Sequence, residues 1–94
     1  MTIRWTTPAT EQLAAAYESI AADNEAAATE VTNHIWSAVD ILARHPKAGR
    51  AGRVPGTREL VIAGTPFVVA YRMEKNEVWI LAVWHAARKW PEEF

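Results

Sequence analysis

The sequence contains no cysteine, which excludes a disulfide framework and a thiolate zinc site and leaves His34, His45 and His85 as the only strong nitrogen ligands. No metal centre and no other cofactor is expected. Long apolar runs are also missing. The longest uncharged apolar stretch, Val78 to Trp84, is seven residues, against about 20 for a bilayer-spanning helix. The opening Arg4-Trp5-Thr6-Thr7-Pro8 lacks the apolar core of a secretory signal, so a cytoplasmic protein without a membrane partner is expected. Glycine is scarce, and three of the four glycines fall between Lys47 and Gly56, which concentrates backbone freedom in one loop. Acids are missing from Arg44 to Arg58 altogether.

What is present suits one small core. Half of the 94 residues are apolar, and a chain this short has room for a single domain over residues 1–94. The formal net charge of -1 hides an asymmetry: residues 1–43 carry Arg4 against six acids, whereas residues 44–94 carry nine bases against five acids. Such a split either arranges one face for an anionic partner or balances the two halves against each other.

The hydrophobic period changes along the chain. Thr2 to Thr6 reads as a short first strand with Ile3 and Trp5 on its buried side. Thr7 followed by Pro8 predicts a helix start, with the threonine as cap, and the helix runs to about Asp23 on a stripe of Leu13, Tyr17 and Ile20. Asp23-Asn24 caps a second helix whose buried face is Ala28, Val31, Ile35, Ala38 or Val39, and Leu42; Pro46 ends it near Arg44 to His45. The short gap predicts an antiparallel helical hairpin. Lys47 to Gly56 is a basic loop. From Arg58 the period is two, with strands at Arg58 to Ile62, Phe67 to Met73 and Val78 to Trp84.

A hairpin tip at Lys75-Asn76 sets Arg72 opposite Trp79, Tyr71 opposite Ile80, Val69 opposite Ala82 and Phe67 opposite Trp84. Phe67, Val69, Tyr71, Met73, Val78, Ile80 and Trp84 then face the helices. Arg72, Trp79, Leu81, Val83 and His85 make the other, mixed face. The fold class is α+β, in the order β-α-α-β-β-β, an antiparallel sheet packed against an N-terminal helical hairpin.

Several residues are candidates for chemistry. His85 ends the last strand and Arg88 follows three residues on, so both can reach one anion, as proton-transfer group and phosphate-stabilising cation of a metal-free ribonuclease. The alternative is a locally bonded histidine and a solvated arginine. Arg72 opposite Trp79 reads as a cation–π pair, and Arg58 either joins Arg50 and Arg53 in a basic patch or is a free, solvated loop base. His34 and His45 have no convincing partners. Five tryptophans exceed the needs of so small a core. Trp84 and Trp90 either meet a partner or, for Trp90, fold back onto the helical layer.

The strings Arg53-Val54-Pro55-Gly56-Thr57-Arg58-Glu59-Leu60, Tyr71-Arg72 and Trp84-His85-Ala86-Ala87-Arg88-Lys89-Trp90-Pro91, in this order over nearly the whole chain, resemble the RelE/ParE superfamily of bacterial toxins. The resemblance implies the toxin of a type II toxin–antitoxin, or plasmid-stabilisation, module, held as a hetero-oligomer by an acidic, amphipathic ParD-like antitoxin. RelE-like members cleave messenger RNA on the ribosome and ParE-like members poison DNA gyrase, on one fold. The RelE-like pattern places an arginine where the third strand begins. Phe67 stands there in this chain, and a pI near 6.3 does not favour ribosome binding. The chain therefore resembles the ParE-like branch, with DNA gyrase as the implied target and His85, Arg88 and Trp90 as target-binding residues. The alternative, a ribosome-dependent endoribonuclease, would use His85, Arg88, Arg72 and Arg58.

Overall fold

The computed structural model describes residues 1–87, in the order β1 (Thr2–Trp5), α1 (Thr7–Ala21), α2 (Glu25–Ile41), β2 (Arg50–Ala51), β3 (Arg58–Val61), β4 (Phe67–Glu74) and β5 (Glu77–His85). Arg88 to Phe94 lie outside the described residues. Helix α1 begins one residue earlier than the Thr7 cap predicts. Thr6 is the cap: its hydroxyl accepts from the Ala9 N–H at 3.3 Å while donating to the Ile80 carbonyl at 2.9 Å. One hydroxyl thus closes the helix end and ties it to β5, a second task that local sequence does not reveal. Pro8 sits in the first turn, where no donor is needed. Helix α2 starts as predicted, with Asn24 Oδ1 accepting from the Ala27 N–H at 3.0 Å.

The strands form one sheet in the order β1-β5-β4-β3-β2. The helical hairpin returns the chain so that β1 lies parallel to β5, with Ile3 opposite Val78 and Trp5 opposite Ile80, while the other pairings are antiparallel. The predicted α+β order is found, with two additions. The first strand gives the sheet a parallel edge, and the basic loop contributes the two-residue strand β2.

The β4–β5 hairpin corrects the predicted register. Arg72 pairs with Trp79 and Tyr71 with Ile80, but Ala70 pairs with Ala82, so Leu81 is an extra residue in β5. This β-bulge moves every later residue of β5 to the opposite face. Val69 therefore meets Val83, Val68 meets Trp84 and Phe67 meets His85. Val83 joins the helix-side core, Trp84 leaves it, and His85 lies edge-on to Phe67 with ring centroids 5.5 Å apart. A strictly alternating reading cannot anticipate the switch, because all residues from Val78 to Trp84 are apolar.

Two apolar layers follow. On the helix side, Ala9 and Leu13 of α1 and Ile35, Val39 and Leu42 from α2 and its end cover Val69, Tyr71, Val78, Ile80 and Val83. Tyr17, predicted to belong to the α1 stripe, is exposed; Ala16 and Ile20 pack in its place. On the other side Val68, Ala70, Leu81, Ala82 and Trp84 form a second buried cluster with Trp79 against it. Trp84, expected on the helix side, is thus buried on the other, and among the described residues the exposed tryptophan is Trp36 on α2, packed on Trp5 with ring centroids 4.8 Å apart. Among the described residues no helix is long and apolar enough to cross a membrane.

Candidate functional site

The basic loop is fixed to the sheet from both faces. Residues paired across strands share a face, so the row Arg50, Glu59, Ala70 and Ala82 points away from the helices. Glu59 is only 3% exposed. Its carboxylate accepts from the Arg53 backbone N–H at 3.0 Å, from Arg53 Nε at 3.2 Å and from Arg50 Nη2 at 3.2 Å. Burial alone would push this carboxyl up. The hydrogen bonds from Arg53 and Arg50, with the Arg53 charge, outweigh burial and hold it below the ordinary carboxylate value. The Arg53 guanidinium also lies over Trp84, 5.9 Å from the ring centroid. One buried acid therefore holds two half-exposed arginine side chains.

On the helix side the anchor is Tyr71. Its hydroxyl donates to the Pro46 carbonyl at 2.7 Å and accepts from the Gly49 N–H at 2.9 Å, which closes the loop entrance against the core. Burial pushes the phenol up, against the opposing effects of the Gly49 hydrogen bond and the Arg58 charge. The approach requires glycine at 49, where a Cβ would stand 2.7 Å from the Tyr71 ring and 2.9 Å from the Glu59 carbonyl oxygen. Arg58, opposite Tyr71, donates to the Gly49 carbonyl at 2.8 Å.

At the far end of β5, His85 Nδ1 accepts from the Ala87 N–H at 3.1 Å. The ring lines an open apolar groove of about 380 Å³ between the sheet end and the helices, with Ala15, Ala16, Ile20, Val31 and Phe67 among its walls. The small residues of α1 create this space. Beyond Ile80 the strand β1 has ended, and Gln12 of α1 takes its place by accepting from the Val83 N–H at 2.8 Å.

The structure thus joins Arg50 and Arg53 of the predicted patch and separates the other candidates. Arg58, expected to be free, is bound to loop carbonyls on the helix side. Arg72 stands opposite Trp79 as predicted, but its guanidinium pairs with Glu74 at 3.1 Å, and among the described residues it is Arg53 that lies over a tryptophan face. His85 is opposite Phe67, five residues along β4 from Arg72, a separation of roughly 16 Å at strand rise. Arg88 and Trp90 fall outside the described residues. Sequence reasoning missed Glu59 and Tyr71 as organisers. Glu59 had a usable signal, since it is the one acid between Arg44 and Met73.

These contacts reverse the simplest expectation for two arginines. Arg58→Ala should cost about 1 kcal/mol, because it frees the loop carbonyls from a charged donor. Arg72→Ala should stay within about 0.5 kcal/mol, because its ion pair is exposed on both sides. Urea melts of the two variants measure the difference.

Comparison with known proteins places this architecture. The family model described as "ParE toxin of type II toxin-antitoxin system, parDE" matches residues 3–90. The chain is 43% identical over 90 residues to "Putative toxin Y4kP" of Sinorhizobium fredii (strain NBRC 101917 / NGR234), covering 96% of this chain and 93% of the relative. It also superimposes on a solved chain from the "Chromosomal ParDE TA system from P. aeruginosa", with a TM-score of 0.79, 29% identity, and coverage of 88% of this chain and 92% of that one. With its helical hairpin, five-stranded sheet and basic loop, this chain belongs to the ParE toxin family of type II toxin–antitoxin systems.

Proposed function

We propose that this toxin acts in the cytoplasm on DNA gyrase, without nuclease chemistry, and that an acidic, amphipathic antitoxin encoded beside it neutralises it in a hetero-oligomer. The observation that carries the reading is the separation of His85, Arg58 and Arg72. A metal-free ribonuclease needs a proton-transfer group and cations around one phosphate. Here Arg58 serves the loop on the helix side, Arg72 pairs with Glu74, and His85 stands at the other end of β4 with Nδ1 engaged locally. The near-neutral charge of the chain supports a protein target over a ribosomal one.

In this reading His85, Arg88 and Trp90 contribute to target engagement, and His85 moves no proton. His85→Gln keeps a hydrogen-bonding side chain but removes the imidazole that general acid–base catalysis would need. It should therefore retain most toxicity, whereas Arg88→Glu should abolish it. Growth arrest on expression of each variant, with and without the neighbouring gene, tests both parts. Loss of toxicity in His85→Gln, accompanied by cleaved messages in the parent, would favour the ribonuclease. Failure of the neighbouring gene to restore growth would remove the antitoxin.

A further inference from the structure

The helix-free face of the sheet carries a built cationic feature whose purpose the fold alone does not explain. Glu59, at 3% exposure, spends its carboxylate on Arg50 and Arg53, yet the side chains of the two arginines remain more than half exposed. A carboxylate introduced merely to neutralise the loop would not need burial. A buried one fixes position, and burying it costs free energy that only its bonds to both arginines offset. The latch is reinforced from beneath: the Arg53 backbone N–H is bound by the same carboxylate, Trp84 supports the Arg53 guanidinium, and Tyr71 locks Gly49, the residue next to Arg50. Glu59 engages Arg50 through Nη2 at 3.2 Å, which leaves most of that planar fork for a second acceptor. The floor beside it is low, because the row continues through Ala70 and Ala82.

Resting on the reading that an acidic antitoxin neutralises this chain, we propose that the Arg50–Arg53 pair latched by Glu59 is the docking platform for an acidic, extended segment of that antitoxin. Guanidinium forks held in a fixed plane match carboxylates in bidentate geometry. The segment from Arg44 to Arg58 contains no acid, whereas residues 1–43 carry six acids against Arg4. Charge complementarity therefore directs an acidic segment to this face and away from the helices. A long nucleic acid is the less suitable occupant, because its evenly spaced phosphates would extend past a small platform onto a protein of net charge -1. Glu59 is a positioning residue here and does not touch the partner.

The test separates a positioned platform from diffuse positive charge. Purified full-length toxin variants are titrated with the full-length antitoxin of the neighbouring gene by calorimetry, with circular dichroism melts to confirm folding. Glu59→Gln makes the patch more positive, so simple attraction predicts equal or tighter binding. The platform predicts binding weaker by about 10-fold or more, the scale expected when one charge-assisted hydrogen bond to the partner is no longer made. The triple variant Arg50→Gln/Arg53→Gln/Glu59→Gln carries no buried orphan carboxylate and should weaken binding by about 100-fold or more. Arg4→Gln/Lys75→Gln, which removes two positive charges near the β1 edge and the hairpin tip, should change it by less than about 2-fold. Unchanged or tighter binding by Glu59→Gln, or binding by the triple variant within about 2-fold of the parent, overturns the platform while leaving the antitoxin in place. A parent toxin that binds no antitoxin overturns both. A single-stranded oligonucleotide in the same titrations, if it alone responds to these substitutions, reassigns the face to nucleic acid and also overturns the proposal.

Discussion

Replacing Tyr71 by alanine should lower stability by about 3 to 5 kcal/mol, the range for removing a fully buried aromatic side chain. The ring is completely buried in the middle of the helix-side core, between β3 and β5, so its loss leaves a cavity among Leu42, Val69 and Ile80. The hydroxyl adds a second cost. Without it the Pro46 carbonyl and the Gly49 N–H lose their partner at the point where the basic loop leaves the core. Tyr71→Phe isolates that part and should cost about 1 to 3 kcal/mol, the penalty for leaving buried polar groups unpaired. Since a small domain has about 5 to 15 kcal/mol in total, Tyr71→Ala should show a much lower urea midpoint, and Tyr71→Phe an intermediate one. Equal midpoints for the two would mean that the hydroxyl, and not the ring, dominates.

Arg53→Ala should destabilise by about 3 kcal/mol at neutral pH, the lower end for breaking an ion pair around a buried charge. The figure stays low because the guanidinium is half-exposed and Arg50 remains. The pH dependence is the more specific signature. In the parent the Glu59 carboxyl lies below its ordinary value, so its stabilising contribution is complete above the ordinary carboxylate range and is lost as pH falls through the lowered folded value. In Arg53→Ala the side-chain hydrogen bonds and the charge of Arg53 are gone, while the backbone N–H of residue 53 and Arg50 still oppose burial, so the carboxyl lies higher than in the parent. The difference between parent and variant should therefore be largest near pH 7 and shrink on acidification toward about pH 4. A difference independent of pH over that window would assign the loss to the packing of Arg53 on Trp84 instead.

Much of the fold was legible because local rules and global packing agree. Pro8 and Pro46 bracket the helical hairpin, Asn24 caps α2, and the Glu74-Lys75-Asn76-Glu77 turn sets the first pairs of the hairpin correctly. Legibility failed where one residue serves a distant partner. Thr6 became a cap because Ile80 holds its hydroxyl, and the Leu81 bulge lies in an uninterrupted apolar run where neither face leaves a polar mark. That single extra residue explains why Trp84 and His85 exchange faces relative to the simple alternation. At the candidate site the sequence displayed the arginines but not their organisation. Side-chain charge announces itself in a string of letters, whereas the burial of Glu59 depends on β2 pairing across to β3, and the role of Tyr71 depends on a loop 22 residues earlier.

As proposed, this ParE-family chain arrests growth through gyrase and not through message cleavage. The most direct measurement is the first lesion after brief expression of the full chain without the neighbouring gene, with chromosomal DNA breaks and messenger RNA 5′ ends mapped in the same cells. DNA breaks and an SOS response, intact messages, and the same pattern for His85→Gln are the expected result. New 5′ ends within translated codons, appearing before any DNA break and absent in His85→Gln, would contradict it.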